Sequence, residues 1–269
     1  DATVNLGGPF VRKAMSANQA AKNGKEGERS GEVPIRLHVE ASETAETLTV
    51  KALRVESEWL ALAGDASLET ATGKLAAALR LDMPSLRKLA QFPPVAALLT
   101  DSPFRELAGT VGVKAAVRRA AASSPFAGTL SLKLADMRWG LAQLQDTVGE
   151  TASLGVSFSA QPESGSASVS DLTLKAGQLS GKGNASTDGK KLDVALSLAL
   201  SSLKGIAPSL SGPLELKLRA SGPLLSPGGE LTLASPHLGV ETAMLEGLRV
   251  RLNTPSVGAA GGKGTLDVS

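Results

Sequence analysis

The chain has no cysteine and no tyrosine, only two histidines, and aromatic residues make up just 3% of its 269 positions. Without a thiol there is no disulfide framework, no thiolate nucleophile and no cysteine metal ligand. His38 and His237 have no second histidine at metal-ligand spacing. His38 also sits on the polar phase of an alternating strand, between Leu37 and Val39, which points it to water. Converging polar groups for catalysis are missing, so no catalytic residue, no metal site and no cofactor is expected, and the chain reads as non-enzymatic. No apolar run approaches the roughly 18–20 residues of a membrane span. The opening at Asp1 carries no signal-peptide pattern, and Leu266-Asp267-Val268-Ser269 stops in mid-pattern, so a segment of a longer protein is expected. Charge of one sign is lacking too: 28 Lys and Arg against 26 Asp and Glu give +2. That is too even for a nucleic-acid reader. The missing thiols fit a cell envelope, where they would oxidise.

What is present is leucine. The chain is 42% hydrophobic, yet its isoleucines are only Ile35 and Ile206. Leucine is not a favoured strand residue, so its dominance in strand-like patterns calls for a cause. A lining for flexible acyl chains is one; the codon bias of a high-GC genome is another.

The leucines recur in a repeat. Leu48-Thr49-Val50-Lys51-Ala52 returns as Leu172-Thr173-Leu174-Lys175-Ala176. A glycine-bearing strand follows each, at Gly64–Leu68 and Gly183–Thr187, and then a leucine ladder, at Leu75, Leu79 and Leu81 and at Leu192–Leu198. Gly109–Ala115 resembles Gly212–Leu218, and Gly128–Leu132 resembles Gly229–Leu233. Stacked strand repeats bury one face on their neighbours, so the fold is expected to be all-β and elongated, a curled, antiparallel-rich sheet. We expect residues 1–32 to form a lead-in, with a short helix over Pro9–Lys22 and a charged loop after it. Residues 33–269 are expected to form the repetitive body, with copies at about 48–135 and 172–240. A change to helical period marks a helical insert over 83–100, interrupted by Pro93-Pro94. Gly177–Gly183 and Gly258–Thr265 are glycine-rich without the phosphate-loop spacing, and read as turns.

Between the leucines stand charges. Glu215, Lys217 and Arg219 interleave Leu214, Leu216 and Leu218, and Arg249 and Arg251 interleave Leu248, Val250 and Leu252. Side chains alternate across a strand, so each sheet has one wet and one greasy face. Alternation alone is met as well by the dry core of a closed solenoid or sandwich.

The stretch Leu203–Pro223, its continuation through Gly229–Leu233, and Leu245–Val250 resemble the periplasmic body of the TamB proteins, translocation and assembly module subunits within the AsmA-like family. The resemblance runs from about Val33 onward and is strongest after Asp171; residues 1–31 and the insertion Gln143–Glu150 fall outside it. It implies a trough or taco-like sheet with an apolar interior, in the periplasm, within a protein anchored in the inner membrane. It also implies passage of phospholipid toward the outer membrane, a TamA-like outer-membrane partner, and support for autotransporter assembly. The lining it implies is the apolar phase of each strand. In the first half this is Leu48, Val50, Leu79, Leu81, Val111, Val113, Leu130 and Leu132. In the second it is Leu172, Leu174, Val194, Leu196, Leu198, Leu214, Leu216, Leu218, Leu231, Leu233, Val250 and Leu252. The alternative is a scaffold with a dry β core that templates strands of unfolded outer-membrane clients at an open edge.

Overall fold

A computed structural model describes residues 4–7, 35–91, 95–97, 102, 104, 106–255 and 264–269. Most of these lie in strands of 8–13 residues: β2 (Arg36–Glu43), β3 (Thr47–Glu56), β4 (Ala61–Glu69), β5 (Lys74–Met83), β6 (Ala108–Arg119), β7 (Phe126–Arg138), β8 (Ala152–Gln161), β9 (Ser166–Ala176), β10 (Leu179–Thr187), β11 (Lys191–Leu200), β13 (Leu214–Pro223), β14 (Gly228–Val240) and β15 (Ala243–Thr254). Shorter strands are β1 (Val4–Gly7), β12 (Leu210–Ser211) and β16 (Thr265–Val268). The helices are α1 (Leu86–Ala90) and α2 (Ala142–Val148), with one helical turn at 95–97.

The strands form one sheet that curls but does not close, each long strand pairing with the next in the chain. All pairings are antiparallel except β1 beside β2, and β12 pairs with β14 off the main path. The first expected copy is built as three strands, an insertion carrying α1, then β6 and β7. The second has the same order: β9, β10 and β11, the segment 201–213, then β13 and β14.

Antiparallel order gives the sheet two unlike margins. Tight connections such as 44–46, 70–73, 162–165 and 188–190 line one of them. The other margin receives every insertion: α1 and the 95–97 turn between β5 and β6, α2 between β7 and β8, and the 201–213 segment. The buried hydrophobic side chains Leu86, Ala108, Met137, Ala176, Leu200 and Leu203 lie at this second margin. A backbone irregularity opens the space for Met137. Asp136 turns left-handed at φ 54, and Gly109 opposite it, at φ 132, leaves room for the Met137 sulfur.

Three expectations need adjusting. The helical insert over 83–100 shows α1 over Leu86–Ala90 and a separate turn at 95–97, with Ser85 capping Lys88 N–H of α1. The Gly177–Gly183 stretch is a turn only at Gly177-Gln178, and strand β10 begins at Leu179, because Lys182 and Gly183 pair with Thr173 and Leu172. In Gly258–Thr265, Thr265 opens β16. The expected helix over Pro9–Lys22 lies outside the described residues.

Candidate functional site

Register fixes which side chains share a face. Strand partners carry one apolar row from β2 to β16: Leu37, Val55, Leu62, Leu81, Val113, Leu132, Leu154, Leu174, Gly181, Leu198, Leu216, Leu233, Val250 and Val268. At about 4.8 Å between strands such a row extends roughly 60 Å. Beside it, on the same face, run Leu79, Ala115 and Leu130 in the first half. Leu172, Gly183, Leu196, Leu218, Leu231, Leu252 and Leu266 take that place in the second. Of the remaining candidates, Val50 and Val194 fall in the next row, Leu48 in the row beyond it, and Val111 and Leu214 in the row at the insertion margin. Every candidate from the sequence therefore stands on one face of one sheet. Leu37, Val55, Leu62, Leu154, Phe158 and Val268 join them without having been candidates. Their strands were legible, but single apolar residues in a strand do not reveal which partner they face.

Among the described residues this face is partly open to solvent. Leu48, Leu79, Leu130 and Leu252 are 45%, 43%, 36% and 38% exposed, and most of their neighbours are half-buried. Among the described residues no second layer covers them. Contiguous exposed apolar area beyond a few hundred Å² marks a surface made to contact something. Burying one leucine there stabilises by about 1.5–3 kcal/mol.

Small residues shape the face. A cavity of about 330 Å³ is lined by Gly64, Ala66, Ala77 and Ala115 together with the larger Val50, Leu53, Leu79, Val117 and Phe158. Equivalent glycines recur in the two copies. A Cβ on Gly64 would come within 3.2 Å of Leu79 Cδ1 and 2.9 Å of the Ala78 carbonyl oxygen. A Cβ on Gly183 would come within 3.1 Å of Leu196 Cδ1 and 2.9 Å of the Ala195 carbonyl oxygen. In each copy, glycine lets the leucine of the next strand lie flat across it.

The opposite face is charged and wet. Lys51 pairs with Glu40, Arg80 with Asp82, Lys217 with Glu215 at 3.2 Å and Arg251 with Glu230 at 3.0 Å. The hydrogen bond from Arg251, aided by Thr232 and Arg219, holds the Glu230 carboxyl below its ordinary pKa, and the hydrogen bond to Asp82 raises Arg80. His38 and His237 are exposed. Among the described residues no group of three or more histidines and carboxylates is placed to hold a metal ion. No helix there is long and apolar enough to cross a membrane.

No protein-family model, no curated protein and no solved structure matches the chain.

Proposed function

We propose that the chain is a non-enzymatic segment of a cell-envelope protein whose apolar face carries phospholipid between membranes. The observation that carries this reading is the unbroken apolar row from Leu37 to Val268, half-open to solvent along the sheet. Acyl chains lie against the leucines, and head groups stay in water beyond the sheet margin. A row of similar side chains gives each methylene about 0.8 kcal/mol wherever it rests. An acyl chain then slides with little variation in energy. A periplasmic location and a TamA-like outer-membrane partner belong to the same reading, supported by the TamB-like pattern of Leu203–Pro223.

A second reading has its own observation. Among the described residues strand β16 pairs with β15 alone, and its residues are exposed, leaving a backbone edge that can accept a strand of an unfolded client.

Native mass spectrometry of the chain purified from an envelope fraction, with lipid extraction from the same sample, separates the two. Co-purifying phospholipid that is lost in a folded Leu196→Glu/Leu216→Arg variant supports the conduit. A folded, lipid-free wild-type chain sinks it and leaves the open strand edge as the functional feature.

A further inference from the structure

The charged face holds a groove that the lipid reading does not use. In the second half, one row crosses consecutive strands as Thr173, Lys182, Ser197, Lys217, Thr232 and Arg251, hydroxyl and cation in alternation. Two concavities lie along it. One, of about 580 Å³, is lined by Asp171, Thr173, Lys182, Asn184 and Ser197, and the other, of about 340 Å³, by Glu215, Glu230, Thr232 and Arg249. Lys217 and Arg219 line both, so the two are continuous. Glu215 and Glu230 are engaged by Lys217 and Arg251, whereas Lys182 and Arg249 make no ion pair among the described residues and Arg219, opposite Glu230, acts on it only at longer range.

We infer that this groove binds an extended acidic polypeptide segment laid across the strands, a carboxylate at about every third residue. Successive cations of the row, Lys182, Lys217 and Arg251, are two strands apart, or about 9.6 Å. Arg219 and Arg249 flank the row on either side, and Lys217 and Arg251 would exchange Glu215 and Glu230 for the peptide's carboxylates. Three residues of an extended polyproline-type chain advance about 9.3 Å. Arginine grips a carboxylate through two parallel N–H bonds, which suits Arg219 and Arg249. Thr173, Asn184, Ser197 and Thr232 offer donors and acceptors for peptide groups between the carboxylates. The lining disfavours other polyanions. It includes no aromatic ring on which bases could stack. Asp171, Glu215 and Glu230 would repel closely spaced phosphates more than single carboxylates about 9 Å apart. A planar bilayer of anionic lipid does not follow a groove that turns with the twist of the sheet.

The test is fluorescence anisotropy of the full chain with a labelled (Glu-Ser-Pro)3 peptide, with (Gln-Ser-Pro)3 as control. Expected are saturable binding of the glutamate peptide, weakening as salt rises from 50 to 300 mM, and at least tenfold loss in Lys182→Glu/Lys217→Glu. Should that variant fail to fold, Lys182→Gln/Arg219→Gln, which leaves both ion pairs intact, is expected to lose at least threefold. The Leu81→Glu/Leu132→Arg variant, on the apolar row and in neither concavity, is expected to lose lipid and keep peptide binding, so failure of this proposal and failure of the lipid reading are told apart. Equal binding of the glutamine peptide, unchanged affinity in a folded groove variant, or tighter binding of single-stranded DNA or of anionic phospholipid vesicles overturns the proposal.

Discussion

The ring of Phe158 fills the space that a side chain on Gly128 would need. The two residues face each other across β7 and β8, and a Cβ on Gly128 would also press to 2.5 Å of the Ala116 carbonyl oxygen. Gly128→Val is therefore expected to destabilise by about 1–3 kcal/mol, the cost of an overfilled site. Phe158→Ala in the same chain should recover part of the loss, because the ring can be removed and the carbonyl cannot. A denaturant series on the two single variants and the double variant measures this coupling. Strict additivity would mean that ring and glycine do not share the space.

Leucines of the open face and leucines of the insertion margin should differ sharply in what they contribute to stability. Leu203 is 5% exposed, and Leu203→Ala is expected to cost about 2–5 kcal/mol. Leu79 is 43% exposed, so Leu79→Ala should cost well under that, below about 1.5 kcal/mol in delipidated protein, since water already touches much of what is removed. Denaturant midpoints of the two variants decide it. Equal losses would show that Leu79 is covered in solution.

The alternation of Leu214 to Arg219 makes the two faces of β13 readable from the chain alone, because strand side chains have a strict period of two. The rows across the sheet are not readable in that way. They depend on register, and irregularities between Glu40 and Ala41, Val50 and Leu53, Ala108 and Thr110, Gly155 and Ser157, and Gly183 and Ala185 each shift it. The row from Leu37 to Val268 crosses two of these pairings beyond the shift, β2–β3 and β8–β9, whereas the line from Thr173 to Arg251 is hidden because the 201–213 segment, not a tight turn, joins β11 to β13. Helix α2 was hidden for another reason. Ala142–Val148 lacks an apolar period and a side-chain cap. It is held by distant partners: Gln145 accepts from Trp139 N–H and donates to the Met137 carbonyl, and Gln178 N–H donates to the Thr147 carbonyl.

Acid should loosen the turn between β10 and β11 at a definite place. Asp188 Oδ1 accepts from Lys191 N–H at 2.7 Å and Lys190 N–H at 2.8 Å, and these bonds hold its carboxyl below the ordinary value of 3.8. A depressed folded pKa means that the stabilisation is complete above the unfolded value and is lost as pH falls through the folded one. The amide resonances of Lys190 and Lys191 should therefore titrate with a midpoint below 3.8. Asp188→Asn should abolish the titration and keep the turn, because its amide oxygen still accepts. A midpoint at or above the ordinary value would contradict the turn geometry.

The insertion margin should open independently of the sheet centre. Trp139 Nε1 donates to the Gly149 carbonyl at 2.8 Å, and Gly205 fits against Thr147 with no room for a side chain. Gly205→Val forces α2 away from the 201–213 segment, since a Cβ there would strike the Thr147 hydroxyl and come within 3.1 Å of its backbone nitrogen. The amides of Gly149 and Gln178, which donate to Gln145 and Thr147, are then expected to exchange at least tenfold faster. Those of Leu216 and Leu218, bonded within the sheet and remote from α2, should keep their wild-type rates. In a sheet whose strands touch only sequential neighbours, stability is close to a sum of local terms, so a defect at one margin stays there. Equal acceleration in β13 would show that the margin and the apolar face unfold as a single unit.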